Sequence, residues 1–128
     1  MKYLTTAQVL AVHDQMVKRF GGSLDVRDLG LIESAVNRPQ STFDNEDLYP
    51  DIFLKAASLM HSLLKNHAFV DGKKRTAYSS CGVFFKINGY QLNNMHQENL
   101  EFTMNIENNS ISLEEIASWL RKHTEKTK

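Results

Sequence analysis

The chain has 128 residues, with 15 basic and 15 acidic side chains and one cysteine. That length holds one ordinary domain with its own core and excludes a second catalytic domain, while the charge balance supplies no global field for nucleic acid or anionic lipid, so any anion site must be local. A single cysteine excludes an internal disulfide and a multi-cysteine zinc site, and with no signal-peptide pattern or membrane-spanning apolar run the expectation is a soluble cytoplasmic protein.

Helix signals then follow one another along the chain. Thr5 and Gln8 form a capping box, and Val9, Val12, Met16, Val17 and Phe20 recur at helical spacing until Gly21-Gly22 stops the run. His13 lies on that stripe and reads as packed at the edge of the core, with nothing nearby in sequence to partner it. Leu29, Ile32 and Val36 mark a short helix that Pro39 ends, because a residue before proline, here Arg38, is biased out of the α region. The stretch PQSTFDNEDLYP (39–50) is bounded by the only two prolines. It is longer than an ordinary connection, and such loops tend to be lids, binding flaps or disorder, so its length favours a functional segment over a plain linker, with room for one short hairpin.

Beyond Pro50, two interleaved apolar rows, Phe53, Ala57, Met60, Leu64 and Ile52, Ala56, Leu59, Leu63, predict the buried central helix, with His61 packed and hydrogen-bonded between them. Thr76 to Ile87 forms the next helix, closed by Asn88-Gly89, and Cys81 on its apolar stripe reads as a small buried hydrophobe. A weaker amphipathic helix covers 97–108, with Leu100 and Met104 on one row and Phe102 and Ile106 on another. The last helix opens on the Ser112/Glu115 capping box and frays into the KHTEKTK tail, where His123, like His96 in the preceding polar loop, reads as a surface residue. The expected fold is all-α: a single domain over 1–128, a compact bundle of about six helices with a short β-hairpin flap.

The stretch HAFVDGKKRTA (67–77) poses an electrostatic problem. Lys73, Lys74 and Arg75 crowd the first turn of a helix, where the backbone N–H groups are free and cations are unfavourable. A polyphosphate would remove the conflict: a turn ending in Gly72, followed by a helix N-terminus and three cations, is the layout of a phosphate cradle. Asp71 can both cap the helix and hold Mg²⁺, an ion usually bound by one or two carboxylates together with substrate phosphates. His67 is placed as general base, and Phe69 points inward as the anchor of the loop. Singly, these are ordinary surface residue types; their joint spacing is what points to a site.

H-x-F-x-D-G-x-K-R between two helices is similar to the Fic family, and specifically to its short death-on-curing (Doc) branch. The stretches VRDLGLIESAVNRPQ, DLYPDIFLKAASLMHSLLKNH and FFKINGY extend the resemblance over about residues 3 to 92. It implies the toxin of a toxin–antitoxin pair that transfers the γ-phosphate of ATP, with Mg²⁺, to a hydroxyl of a protein target, elongation factor Tu, and so stops translation. In that reading His67 takes the proton of the target hydroxyl, Asp71 holds Mg²⁺, and Arg75 grips the phosphates beside Gly72, Lys73 and Lys74. The segment Gln40, Ser41, Thr42 and Phe43 belongs to a flap that aligns the target by main-chain pairing. The implied partner is an antitoxin whose disordered tail folds on the toxin, with no direct nucleic-acid or membrane contact.

Larger Fic enzymes, which transfer AMP, usually carry Asn-Gly-Arg after the first glycine and a further arginine three positions on. Here Lys74 and Tyr78 stand at the second glycine and the further arginine, as in the Doc branch, favouring phosphate transfer over AMP transfer. The chain departs from the family at Ala68, ordinarily proline, and at Lys73, ordinarily asparagine. A long charged donor in place of a short amide implies reduced or altered activity, with a catalytically weakened, antitoxin-binding module as the competing reading. A helical nucleic-acid binder using Lys73, Lys74 and Arg75 would need a wider basic face.

Overall fold

The computed structural model of the chain describes residues 1–127, and among these are six α-helices and two small antiparallel strand pairs. The order is α1 (Thr6–Phe20), α2 (Leu29–Asn37), a 3₁₀ turn (Arg38–Gln40), β1 (Thr42–Phe43), β2 (Glu46–Asp47), α3 (Ile52–Lys65), α4 (Lys73–Ile87), β3 (Tyr90–Leu92), α5 (His96–Asn108), α6 (Leu113–Lys122) and β4 (Thr124–Lys126). The all-α expectation holds, including the hairpin.

Both capping boxes form as their sequences require, at Thr5/Gln8 and at Ser112/Glu115. α3 is the central helix, with both of its apolar rows in the core and α2, α4, α5 and α6 packed around it. Cys81 lies wholly buried on α4, and burial drives its thiol pKa far up, which makes it inert. No helix among the described residues is long and apolar enough to cross a membrane.

Four readings need correction. Arg38 stays in the α region (φ −55°, ψ −43°), so α2 tightens into a 3₁₀ turn through Pro39. The local bias before proline yields because the Arg38 guanidinium is tied down, donating to Tyr49 Oη at 3.0 Å, His61 Nδ1 at 3.1 Å and Ser62 Oγ at 3.0 Å. The buried face of α5 is Asn99, Thr103 and Ile106, leaving Met104 exposed. The tail does not fray: Thr124–Lys126 pairs with Tyr90–Leu92, two segments whose alternation is too short to read alone, and Lys128 lies outside the described residues. His123 stacks on Trp119 and pairs with Glu98, so it is no free surface residue.

Within the flap, β1 pairs with β2 around Asp44 and Asn45, which both have positive φ (51° and 65°), as a two-residue type I′ hairpin requires. Its anchor is Lys55 of α3, 2% exposed, whose ammonium donates to the carbonyl of Pro39 at 3.1 Å and to Asp47 Oδ2 at 3.2 Å. A lysine buried at the centre of a helix is tolerated only when its charge is paired and bonded in this way.

Candidate active site

The loop between α3 and α4, residues 66–72, is held by the α1–α2 connection. Arg27 N donates to the Ala68 carbonyl at 2.7 Å, Val70 N donates to the Asp25 carbonyl at 3.3 Å, and Val26 and Phe69 form an isolated antiparallel bridge. Phe69 points inward as expected and is 3% exposed. Its ring stacks on His13 at a centroid distance of 4.1 Å, and His13 Nε2 donates to the Asp71 carbonyl at 2.7 Å. His13 is buried, as its stripe predicts, yet it has a partner the local sequence could not show, 58 residues further along the chain.

Gly72 opens α4 from the left-handed region (φ +78°), and no side chain caps the helix. A Cβ there would meet Val17 Cγ2 at 3.2 Å and the His13 ring at 3.5 Å, so glycine is required both by conformation and by the close approach of α1. The capping role expected of Asp71 is therefore wrong. Its Oδ2 instead accepts from Ser23 N at 2.7 Å, across a junction so tight that a Cβ on Gly22 would lie 2.9 Å from the Asp71 Cβ.

The three cations of the first turn are not idle. Glu107, at the end of α5, is ion-paired with Lys73 and lies 3.1 Å from Lys74 through Oε1. The hydrogen-bonded Lys73 ammonium, with that of Lys74, holds the Glu107 carboxyl below the usual carboxylate range against an opposing effect of burial. Lys73 also donates to Nδ1 of His67 at 3.1 Å. Arg75 takes a different direction, with its guanidinium 4.2 Å from the centre of the Phe20 ring. One carboxylate thus offsets part of the unfavourable charge that the sequence assigns wholly to a ligand. Nothing in the sequence marks Glu107, which sits on a weakly amphipathic helix far from the motif.

His67 itself is exposed, on a left-handed backbone (φ +55°) that turns it out of the loop while Ala68 and Phe69 stay buried. An exposed imidazole beside a helix N-terminus can take a proton from an incoming hydroxyl, provided one ring nitrogen is free to accept it. Asp71 is exposed too, and its Oδ1 makes no hydrogen bond among the described residues. No group of three or more His, Cys, Asp or Glu side chains converges among those residues. The donor set fits a magnesium ion held by one carboxylate and completed by phosphates and water. The flap residues Gln40, Ser41, Thr42 and Phe43 stand apart: among the described residues no hydrogen bond or ion pair joins them to the loop, and Phe43 is 73% exposed.

Beyond the motif, Tyr78, where larger Fic enzymes carry arginine, is hydrogen-bonded through its hydroxyl to His96 Nδ1 at 2.9 Å. His96 is thus the partnered first residue of α5. Burial raises the Tyr78 pKa, partly offset by Arg75 and Arg19.

The chain is 55% identical over 73 residues to Toxin Doc of Mycolicibacterium smegmatis, a match covering 57% of this chain and 56% of that protein, so it spans little more than half of that relative's length. It is 29% identical over 122 residues to Protein kinase doc of Escherichia phage P1, covering 95% of both chains. Residues 3–85, which include the whole loop and most of α4, match the model of the Fic/DOC family. On that match, and on a glycine-opened helix end set beside an exposed histidine and aspartate, the chain belongs to the Fic/DOC family.

Proposed function

We propose that this protein is a Doc-type toxin that transfers the γ-phosphate of ATP to a hydroxyl of a protein target, elongation factor Tu, in the cytoplasm. The observation that carries the reading is the convergence on one turn of an exposed His67, an Asp71 carboxylate with a free oxygen, and the uncapped N-terminus of α4 opened by Gly72. The names of the two relatives, a toxin and a protein kinase, support the same class.

In the transfer, the target hydroxyl oxygen bonds to the γ-phosphorus, the bond to the β-phosphate oxygen breaks to leave ADP, and the hydroxyl proton passes to His67. Such chemistry depends chiefly on positioning and charge stabilisation. The first-turn N–H groups of α4, with Lys74 and Arg75, hold the phosphate oxygens. Asp71 would hold Mg²⁺, which when bound neutralises charge on the phosphates. The flap hairpin orients the target chain, and an antitoxin with a disordered tail holds the protein silent.

Transfer of label to purified elongation factor Tu from γ-labelled and α-labelled ATP, with His67→Ala as control, tests the reading. Label from the γ position that is lost in the control supports it; label from the α position means AMP transfer. The Lys73 ammonium on His67 favours one second reading, an antitoxin-binding module with little catalysis, for which neither label transfers.

A further inference from the structure

We infer that the groove between α2, α3 and the α5–α6 connection receives an acidic side chain of the target polypeptide; this rests on the proposed function and adds a recognition subsite to it. Two hollows, of about 250 Å³ and 410 Å³, share His61 and Lys65 and so lie side by side on one face. No residue lining either hollow is acidic, whereas Arg38, His61 and Lys65 are basic.

The Arg38 guanidinium is held by neutral acceptors. Its Nη1 donates to His61 Nδ1, to Ser62 Oγ and, at 3.5 Å, to the Ser58 carbonyl, and its Nε donates to Tyr49 Oη. Among the described residues Nη2 makes no hydrogen bond, and neither Arg38 nor Lys65 is ion-paired. A half-buried guanidinium without a counter-charge is costly, and one already fixed in place gives a carboxylate charge-assisted hydrogen bonds with little further loss of side-chain freedom. Because Arg38 donates to Nδ1, a neutral His61 carries its proton on Nε2, which adds a donor to a ring that lines both hollows.

The groove runs between the flap and the proposed base. At one end Arg38 is bonded to Tyr49 of the flap segment. At the other, Lys65 Nζ donates to the Glu107 carbonyl at 3.1 Å, and the Glu107 carboxylate pairs with Lys73 beside His67. His61 precedes His67 by six positions, about 9 Å at a helical rise of about 1.5 Å per residue, which about three residues of an extended peptide span. Main-chain pairing on a flap gives affinity without reading sequence, and specificity comes from side-chain pockets. The charge of this pocket selects a carboxylate.

The test has two arms, both on the full chain. In the first, the ring nitrogen shifts of His61 are followed as hexaglutamate, hexaglutamine or inorganic phosphate is added. Hexaglutamate should shift the ring and raise its pKa, which burial, then Arg38 and Lys65, hold down. Hexaglutamine should do neither, and the response to hexaglutamate should vanish in Lys65→Glu. In the second arm, KM and kcat are measured for transfer from γ-labelled ATP to purified elongation factor Tu. Lys65→Glu should raise KM for the protein by about tenfold or more with kcat little changed, and Lys65→Gln should fall between it and wild type. An unmoved His61, an equal response to phosphate or hexaglutamine, or an unchanged KM in Lys65→Glu would each overturn the subsite while leaving transfer standing. Absence of transfer by wild type removes the proposed function and the subsite together.

Discussion

Lys73 donates to Nδ1 of His67 at 3.1 Å, and the same ammonium is ion-paired with Glu107. A ring nitrogen that accepts a hydrogen bond leaves the proton of a neutral imidazole on Nε2, so the lone pair a general base needs is the one Lys73 occupies. Under the proposed function, a polyphosphate would compete with both partners for Lys73, which would couple nucleotide binding to release of His67.

From this follows the behaviour of Lys73→Asn. Its shorter neutral side chain frees Nδ1, and single-turnover transfer from γ-labelled ATP is expected to be faster than in wild type. His67→Ala, which removes the proposed base, is expected to lower transfer by about 10²–10⁴-fold. Nitrogen chemical shifts of the His67 ring should report the Nε2–H tautomer in wild type and change in Lys73→Asn. An unchanged rate with unchanged shifts would remove Lys73 from the account.

His13 acts on the site from beneath. His13→Ala strands the Asp71 carbonyl inside the α1–loop junction and removes the stack on Phe69, at an expected cost of about 1–3 kcal/mol in urea unfolding. His13→Phe keeps a ring against Phe69 and removes only the hydrogen bond, so it should recover part of that loss. If the two variants are equally stable, the stack on Phe69 contributes nothing; a His13→Phe variant as stable as wild type would show that the bond to Asp71 contributes nothing.

Gly72→Ala should destabilise by about 1–2 kcal/mol from the left-handed backbone alone, with an added cost from a Cβ 3.2 Å from Val17 Cγ2. Chemical denaturation measures the change directly. A variant as stable as wild type would mean that the turn is not held in this conformation in solution.

Lys55→Met separates local from global effects. Replacing a buried, paired ammonium by an apolar side chain of similar length is often neutral for overall stability. Asp47, its partner, is half exposed and can be solvated, so the unfolding midpoint should move little. Amide exchange over residues 41–48 should nevertheless quicken, because the hairpin loses its tie to α3. Unchanged exchange there would show that β1 and β2 hold themselves.

Acidification should act in two windows. Burial, then Arg38 and Lys65, lower the His61 pKa from its ordinary 6.5. A base depressed in the folded state binds more protons unfolded, so its contribution is full above 6.5 and is lost as pH falls through the folded value. Glu107, depressed from 4.5 chiefly by Lys73, contributes fully above 4.5 and loses that contribution lower still. Denaturation across pH should show the first loss vanish in His61→Gln and the second in Glu107→Gln.

The sequence by itself determined the helices and the motif. Apolar spacing, the two capping boxes and Gly21-Gly22 are signals within a few residues of one another, and helix formation answers to such local terms, so α1, α3, α4 and α6 were legible. The order His67, Phe69, Asp71, Gly72 at a helix start was legible for the same reason. Tertiary structure decided who partners whom. Glu107 meets Lys73 and Lys74, His13 meets Asp71, and Thr124–Lys126 meets Tyr90–Leu92 only because packing brings together residues tens of positions apart, and a hydrogen bond or ion pair depends on distance in space rather than in sequence.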